Sequence, residues 1–299
     1  MNSTEDGAEN EANVGAASVL TASPGVAPLG RTPQPAVTRK PSFVYALGRV
    51  EPRFASLAIE KEFAQTMGRA ETAGLTDRQA LLSLLETPSN RHLIRQLCWV
   101  FTVEGIETYI LVPGHPSDFD LLVDTVRPER SGDDVDVVVG VRGALAAPEK
   151  CNGLVVPVVA FTQIYSFDRD GLVAAIPRPD ELDAERDEDF RSSAAEMFDR
   201  IMQIADNAGA TDEHRAVNYL ALRYPAIYAK ATEAHASELS LSGIEARPSR
   251  LSGTTRDVVD VIFTFTSRRT DVADKYFVRV DVTEEFPFLV TKLSSYYDR

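Results

Sequence analysis

The chain has 299 residues, with 31 Lys and Arg against 45 Asp and Glu and a formal charge of −14. Nucleic acid is excluded as an expected partner, because phosphates repel a strongly anionic chain at long range. No apolar run reaches the roughly 18 residues a bilayer span needs. The acidic start, MNSTEDGAENEANVG, lacks the basic and then apolar pattern of a secretory signal. A soluble, cytoplasmic protein with no membrane partner is expected.

Residues 1–40 are rich in Ala, Ser, Thr, Pro, Gly and Glu and hold no aromatic residue, so they bury too little apolar surface to offset their ordering entropy. They read as a disordered tail. From Phe43, alternation places Arg49, Glu51 and Arg53 on one face of a strand and Val50 and Phe54 on the other, with a bend at Pro52. Ser56 caps a helix that carries Leu57, Ile59, Phe63 and Met67 and stops at Gly68. Thr76 caps a second helix ending before Pro88, and a third runs on from Ser89. Strands Cys98 to Val103 and Glu107 to Val112 turn through Glu104-Gly105, and a short helix follows Pro116-Ser117. The β-branched runs around 135–139 and 154–167 read as interior strands.

The charged stretch PRPDELDAERDED is a connector, so 41–299 divides into possible sub-domains 41–178 and 187–299. Beyond it lies a long amphipathic helix with Phe190, Ala194, Met197, Phe198, Ile201 and Ile204 on one stripe. Thr211 caps another, broken at Pro225. The remainder is strand-rich, and its sheet edges are candidates for pairing with an extended peptide. Phe286 to Val290, with Tyr296 and Tyr297, is expected to pack into the core. Segregated helices and strands give an α+β class, with antiparallel or mixed sheets and packed helices.

Chemical motifs are sparse. Neither GxxxxGK[ST] nor GxGxxG occurs, HExxH and GxSxG are absent, and the four histidines show no paired ligand spacing. No cofactor and no metal are expected. Ser252-Gly253-Thr254-Thr255 reads as a turn between strands. Cys98 and Cys151 have no CxxC or zinc spacing and are expected as reduced thiols that pack as small hydrophobes. Cys151 lies beside Lys150, which favours a thiolate, and His115 in its Pro/Gly turn is the base such a nucleophile would use. Cys98, Cys151 and His115 are therefore the candidate catalytic residues. Acidic pairs such as Glu104/Glu107 and Glu284/Glu285 are expected by chance among 45 acids.

Longer strings say more. PSFVYALGRVEPRFASLAIEKEFAQ (41–65), RQLCWVFTVEGIETYILVPGHPSDFDLLVDTVRP (95–128), CNGLVVPVVAFTQIYSFD (151–168), AVNYLALRYPAIY (216–228) and YFVRVDVTEEFPFLVTKLSSYYDR (276–299) closely resemble the C-terminal domain of the cyanobactin maturation protein PatG. In that family the domain has no known activity and follows a subtilisin-like macrocyclase or is fused to a related protease. The resemblance implies a stand-alone copy that accompanies the biosynthesis of ribosomally made, post-translationally modified peptides, with cleavage and cyclisation supplied by another protein. It carries over no catalytic residues. Two readings follow: a non-catalytic module that binds a precursor peptide, a subtilisin-like processing protease or another copy of itself, and an enzyme whose Cys/His site assembles in the fold.

Removing residues 1–40 should leave the thermal midpoint unchanged. A fall of several degrees on truncation would show that the tail contributes to the fold.

Overall fold

The computed structural model describes residues 40–68, 75–129, 131–176, 187–204 and 206–297. The expected tail, apart from Lys40, and most of the expected connector, 177–186, lie outside the described residues. Strand β1 (Ser42–Phe54) is followed by helix α1 (Leu57–Thr66), capped where the Ser56 hydroxyl accepts the Ile59 amide. Helix α2 (Asp77–Glu86) opens on a reciprocal capping box between Thr76 and Gln79, and α3 (Arg91–Ile94) leads into β2 (Leu97–Val103). β2 and β3 (Ile106–Pro113) join through Glu104 and Gly105, with φ of 50° and 78°, the left-handed pair a two-residue hairpin turn requires. Next come α4 (Phe119–Asp124), β4 (Asp134–Leu145), β5 (Pro157–Asp168) and α5 (Arg169–Ala175).

The five strands close into a barrel in the order β1-β2-β3-β5-β4, antiparallel throughout except for β3 beside β5. This is the strand order of the OB type, a scaffold whose fold alone assigns no ligand. β1 changes partner midway: Ser42 to Gly48 pair with β4, and Arg49 to Phe54 pair with β2. Gly48 sits at the handover because a Cβ there would collide with the Thr102 carbonyl. Beside it Asp136 accepts the Val50 amide at 2.6 Å and the Ser166 hydroxyl, which satisfies main chain left over by the change. Val44, Ala46, Trp99, Phe101, Val138 and Phe161 share the barrel core with Phe63, Leu93 and Leu122 from α1, α3 and α4.

The opposite faces of β1 and β4 are also apolar. Tyr45, Leu47, Val137 and Val139 pack with helices α6 (Asp187–Met202), α7 (Asp212–Arg223) and α8 (Ala226–Ala236), which Pro225 separates as expected. The same core takes in Val259, Val261, Phe263, Phe265, Val278 and Val280 from a second, antiparallel sheet. That sheet contains β6 (Leu239–Pro248), β7 (Val258–Ser267), β8 (Ala273–Asp281) and the short β9 (Phe288–Leu289) and β10 (Ser294–Ser295), in the order β10-β8-β7-β6 with β9 also on β8. Helix α7 touches β1 on one side and β6 and β7 on the other. Residues Pro41–Arg299 thereby form one compact α+β unit. Among the described residues no helix is long and apolar enough to cross a membrane.

Two polar clusters join the layers. The Tyr45 amide donates to the Gly209 carbonyl at 2.9 Å, and the Tyr45 carbonyl accepts from Asn218 Nδ2 at 2.8 Å. Asn218 is held in turn by Asn207, and the Ala208 carbonyl accepts the Tyr109 hydroxyl. Gly209 has φ +67°, and a Cβ there would meet the Tyr45 carbonyl and Ala46 Cα. In the second cluster Arg215, 3 % exposed at its side chain, donates to the carbonyls of Val282 (2.8 Å), Glu284 and Glu285 and lies over the Phe43 ring. Burial lowers its pKa from the ordinary arginine value, with Asp212 opposing.

The C-terminal run departs from expectation. Pro287 is buried, but Phe286, Phe288 and Tyr297 are 44, 50 and 79 % exposed. The reason is the edge of β8, whose main chain needs partners: β9 (Phe288–Leu289) and β10 (Ser294–Ser295) pair along it and turn alternate side chains to solvent.

Asn218→Ala leaves the buried Tyr45 carbonyl without its donor and should cost about 2 kcal/mol, read as a lower urea midpoint at unchanged slope. Gly209→Ala should cost at least as much, from left-handed strain and collision. A loss under about 0.5 kcal/mol for both, the size of an ordinary surface change, would show that the seam is not held here.

Candidate functional site

The two cysteines do not remain thiols. Cys98 opens β2, Cys151 follows a 3-10 turn at Pro148–Lys150, and the two form a disulfide with Cα atoms 5.5 Å apart. Both are buried in a small cluster with Val100, Ile110 and Ala146, so the expected packing holds while the expected reduced state does not. The pairing escapes sequence reasoning because 53 residues separate the partners and only barrel closure brings them together. The Cys151 loop is tied to the barrel by Asn152 N to the Ala55 carbonyl and turned by left-handed Asn152 and Gly153. In this oxidised form neither residue offers a thiolate.

His115 lies in the exposed turn after β3. Its Nδ1 accepts the Ser117 amide and stands 2.8 Å from the Ser117 hydroxyl, while Asp118 accepts the His115 main-chain amide and the Ser117 hydroxyl. Ser, His and Asp thus meet, but Asp118 does not orient the imidazole, as a catalytic triad requires. The geometry is a capping box on a short 3-10 turn. Ser252 likewise bonds both main-chain groups of Val258 as a turn residue.

Three of the cavities among the described residues contain an arginine close to the barrel strands. One of about 440 Å³ opens at the barrel end, where Arg169 pairs with Asp199 and Arg49 donates to the carbonyls of Gly132 and Asp134. A second, of about 500 Å³, flanks the disulfide, and its Arg53 pairs with Glu107 and Glu51. In both, these cations are already engaged, Arg53 and Arg169 by carboxylates and Arg49 by main-chain carbonyls.

The third, of about 370 Å³, lies where barrel, α7 and the C-terminal strap meet, and it brings together Tyr45, Tyr165, Tyr219, Arg223, Phe286 and Pro287. The Tyr45 and Tyr165 hydroxyls are 3.0 Å apart, Tyr219 stands edge-on to Tyr45, and the Arg223 guanidinium lies 5.5 Å from the Tyr165 ring centre. Burial, aided by Tyr165, pushes the Tyr45 phenol above its usual range, so it stays a protonated donor. The hydrogen bond with Tyr165 raises Arg223 above its ordinary value, with burial acting against it. Aromatic walls, phenol donors and a guanidinium suit binding rather than bond making. The sequence hints at this group only through Tyr219 and Arg223, four apart on one face of α7.

The sheet edges are less open than the strand pattern suggests. β9 and β10 cover β8, and β6 carries a bulge between Leu241 and Gly243 and ends in Pro248, devices that blunt an edge against pairing.

Residues 184–296, spanning the helical layer and second sheet, match the family model described as PatG C-terminal. The fold is similar to that of a solved protein described as the PatG domain of unknown function, at a TM-score of 0.69 and 23 % identity, over 85 % of this chain and 98 % of that one. No curated protein sequence matches the chain.

Replacing Cys98 and Cys151 by Ser, or adding dithiothreitol, should cost about 4 kcal/mol, the loop-closure contribution of a bridge across so long a segment. Equal urea midpoints with and without reductant would show that the bridge does not form in solution.

Proposed function

We propose that this chain, which carries a PatG C-terminal segment and has the fold of the PatG domain of unknown function, is a non-catalytic accessory module in the biosynthesis of ribosomally made, post-translationally modified peptides. Its role is to recognise a precursor peptide, or the subtilisin-like protease that processes one. The observation that carries this reading is the aromatic cavity beside the strap, where half-exposed Phe286 joins Tyr45, Tyr165 and Tyr219 in one lining. An extended peptide laid over that rim would bury aromatic area, the usual source of affinity at a small interface. The cavity is favoured over sheet-edge addition because both edges of the second sheet are covered or blunted.

The alternative, a Cys/His enzyme, needs a thiolate that the Cys98–Cys151 bridge removes. The charge of −14 favours a basic partner and faster association at low salt.

Titration calorimetry of the full chain with a synthetic linear precursor peptide should give binding that Phe286→Ala weakens about tenfold, as expected for loss of an aromatic contact at the cavity mouth. Mass spectrometry should show the peptide unchanged. Cleavage or cyclisation by the chain alone, lost in Cys151→Ala or His115→Ala, would replace this reading with the enzyme.

A further inference from the structure

We infer that the Tyr45–Tyr165–Arg223 cavity is a carboxylate site that holds the free C-terminus of a linear peptide ending in an aromatic residue. This deepens the accessory reading above and rests on it for the peptide, though not for the carboxylate.

The first argument is electrostatic. In a chain with 45 acids, the barrel-end cavity is lined by five carboxylates and the disulfide cavity by two, while no Asp or Glu lines this one. Among the described residues Arg223 has no carboxylate partner. The neighbouring acid, Glu285, accepts the Thr162 hydroxyl at 2.6 Å instead. The guanidinium is held over the Tyr165 ring, so its outward N–H groups are pre-positioned and little side-chain freedom is lost on binding an oxyanion.

The second argument counts donors. Of the two hydroxyls that face each other, one proton lies between them and the other remains for a ligand. With the guanidinium fork and the Gln163 amide, the cavity presents several donors to a group that only accepts, which describes a carboxylate.

The third argument selects the rest of the ligand. Tyr219 and Phe286 offer aromatic walls next to the donors, and about 370 Å³ lies at the small end of ligand cavities, room for a terminal residue rather than a folded partner. Half-exposed Phe286, at the mouth, then meets the residues that precede the terminus. An amidated or cyclised peptide presents no such charge, so the site separates linear from closed chains.

The test uses the full chain with N-acetyl-phenylalanine and its amide as probes, followed by calorimetry or protein NMR. The acid should bind at least about tenfold more tightly than the amide, the ratio a charge-assisted hydrogen bond supplies. Arg223→Gln should abolish the difference, Arg223→Lys should restore part of it, and the melting curve of each variant should match the parent. Equal affinities for acid and amide, binding of neither, or an unchanged ratio in Arg223→Gln would overturn the inference. A precursor peptide that binds with no acid preference leaves the accessory role standing and this site refuted. Arg223-dependent binding of the acid without precursor binding does the reverse.

Discussion

The main chain of Tyr45 is the point through which the rest of the structure is organised. β1 leaves β2 unpaired along its first half, so the amide and carbonyl of Tyr45 face away from β4 with no strand to meet them. Buried main-chain groups without partners are costly, and here the 207–218 region supplies them through Gly209 and Asn218. That single solution seats α7 against the barrel. Because α7 also packs on β6 and β7, it sets the second sheet as well. Arg215, on the same helix, then draws the segment 282–285 across to Phe43.

The cavity follows from that arrangement. Tyr45 reaches it from β1 and Tyr165 from β5, Tyr219 and Arg223 come from the next turns of the helix that Asn218 anchors, and Phe286 comes from the strap that Arg215 holds. Its walls thus come from elements far apart in the chain. The chain is acidic overall, yet this cavity is lined by a guanidinium and no acid. The global charge favours a basic body for the partner, and the pocket favours an anionic end.

The disulfide belongs to the opposite side of the barrel and plays another part. It ties the start of β2 to the loop before β5, across the strands where parallel β3 and β5 meet. The barrel end holds five carboxylates, of which Asp199 pairs with Arg169, while Arg49 is spent on main-chain carbonyls.

Local order was legible along the chain because it depends on neighbours a few residues apart. Ser56, Thr76 and Thr211 mark helix starts, Pro225 separates α7 from α8, and Glu104-Gly105 turns a hairpin, each for a reason contained within one turn of chain. The stripe from Phe190 to Ile201 likewise named the buried face of α6. The resemblance of long strings to the PatG C-terminal domain was also readable without coordinates. Only the tertiary structure decided which strands close the barrel, that Cys98 meets Cys151, that Phe286 and Phe288 stay half in solvent, and that Tyr45, Tyr165 and Arg223 converge. Those outcomes depend on satisfying main-chain groups and packing faces between separate elements, and no local period or spacing records such contacts.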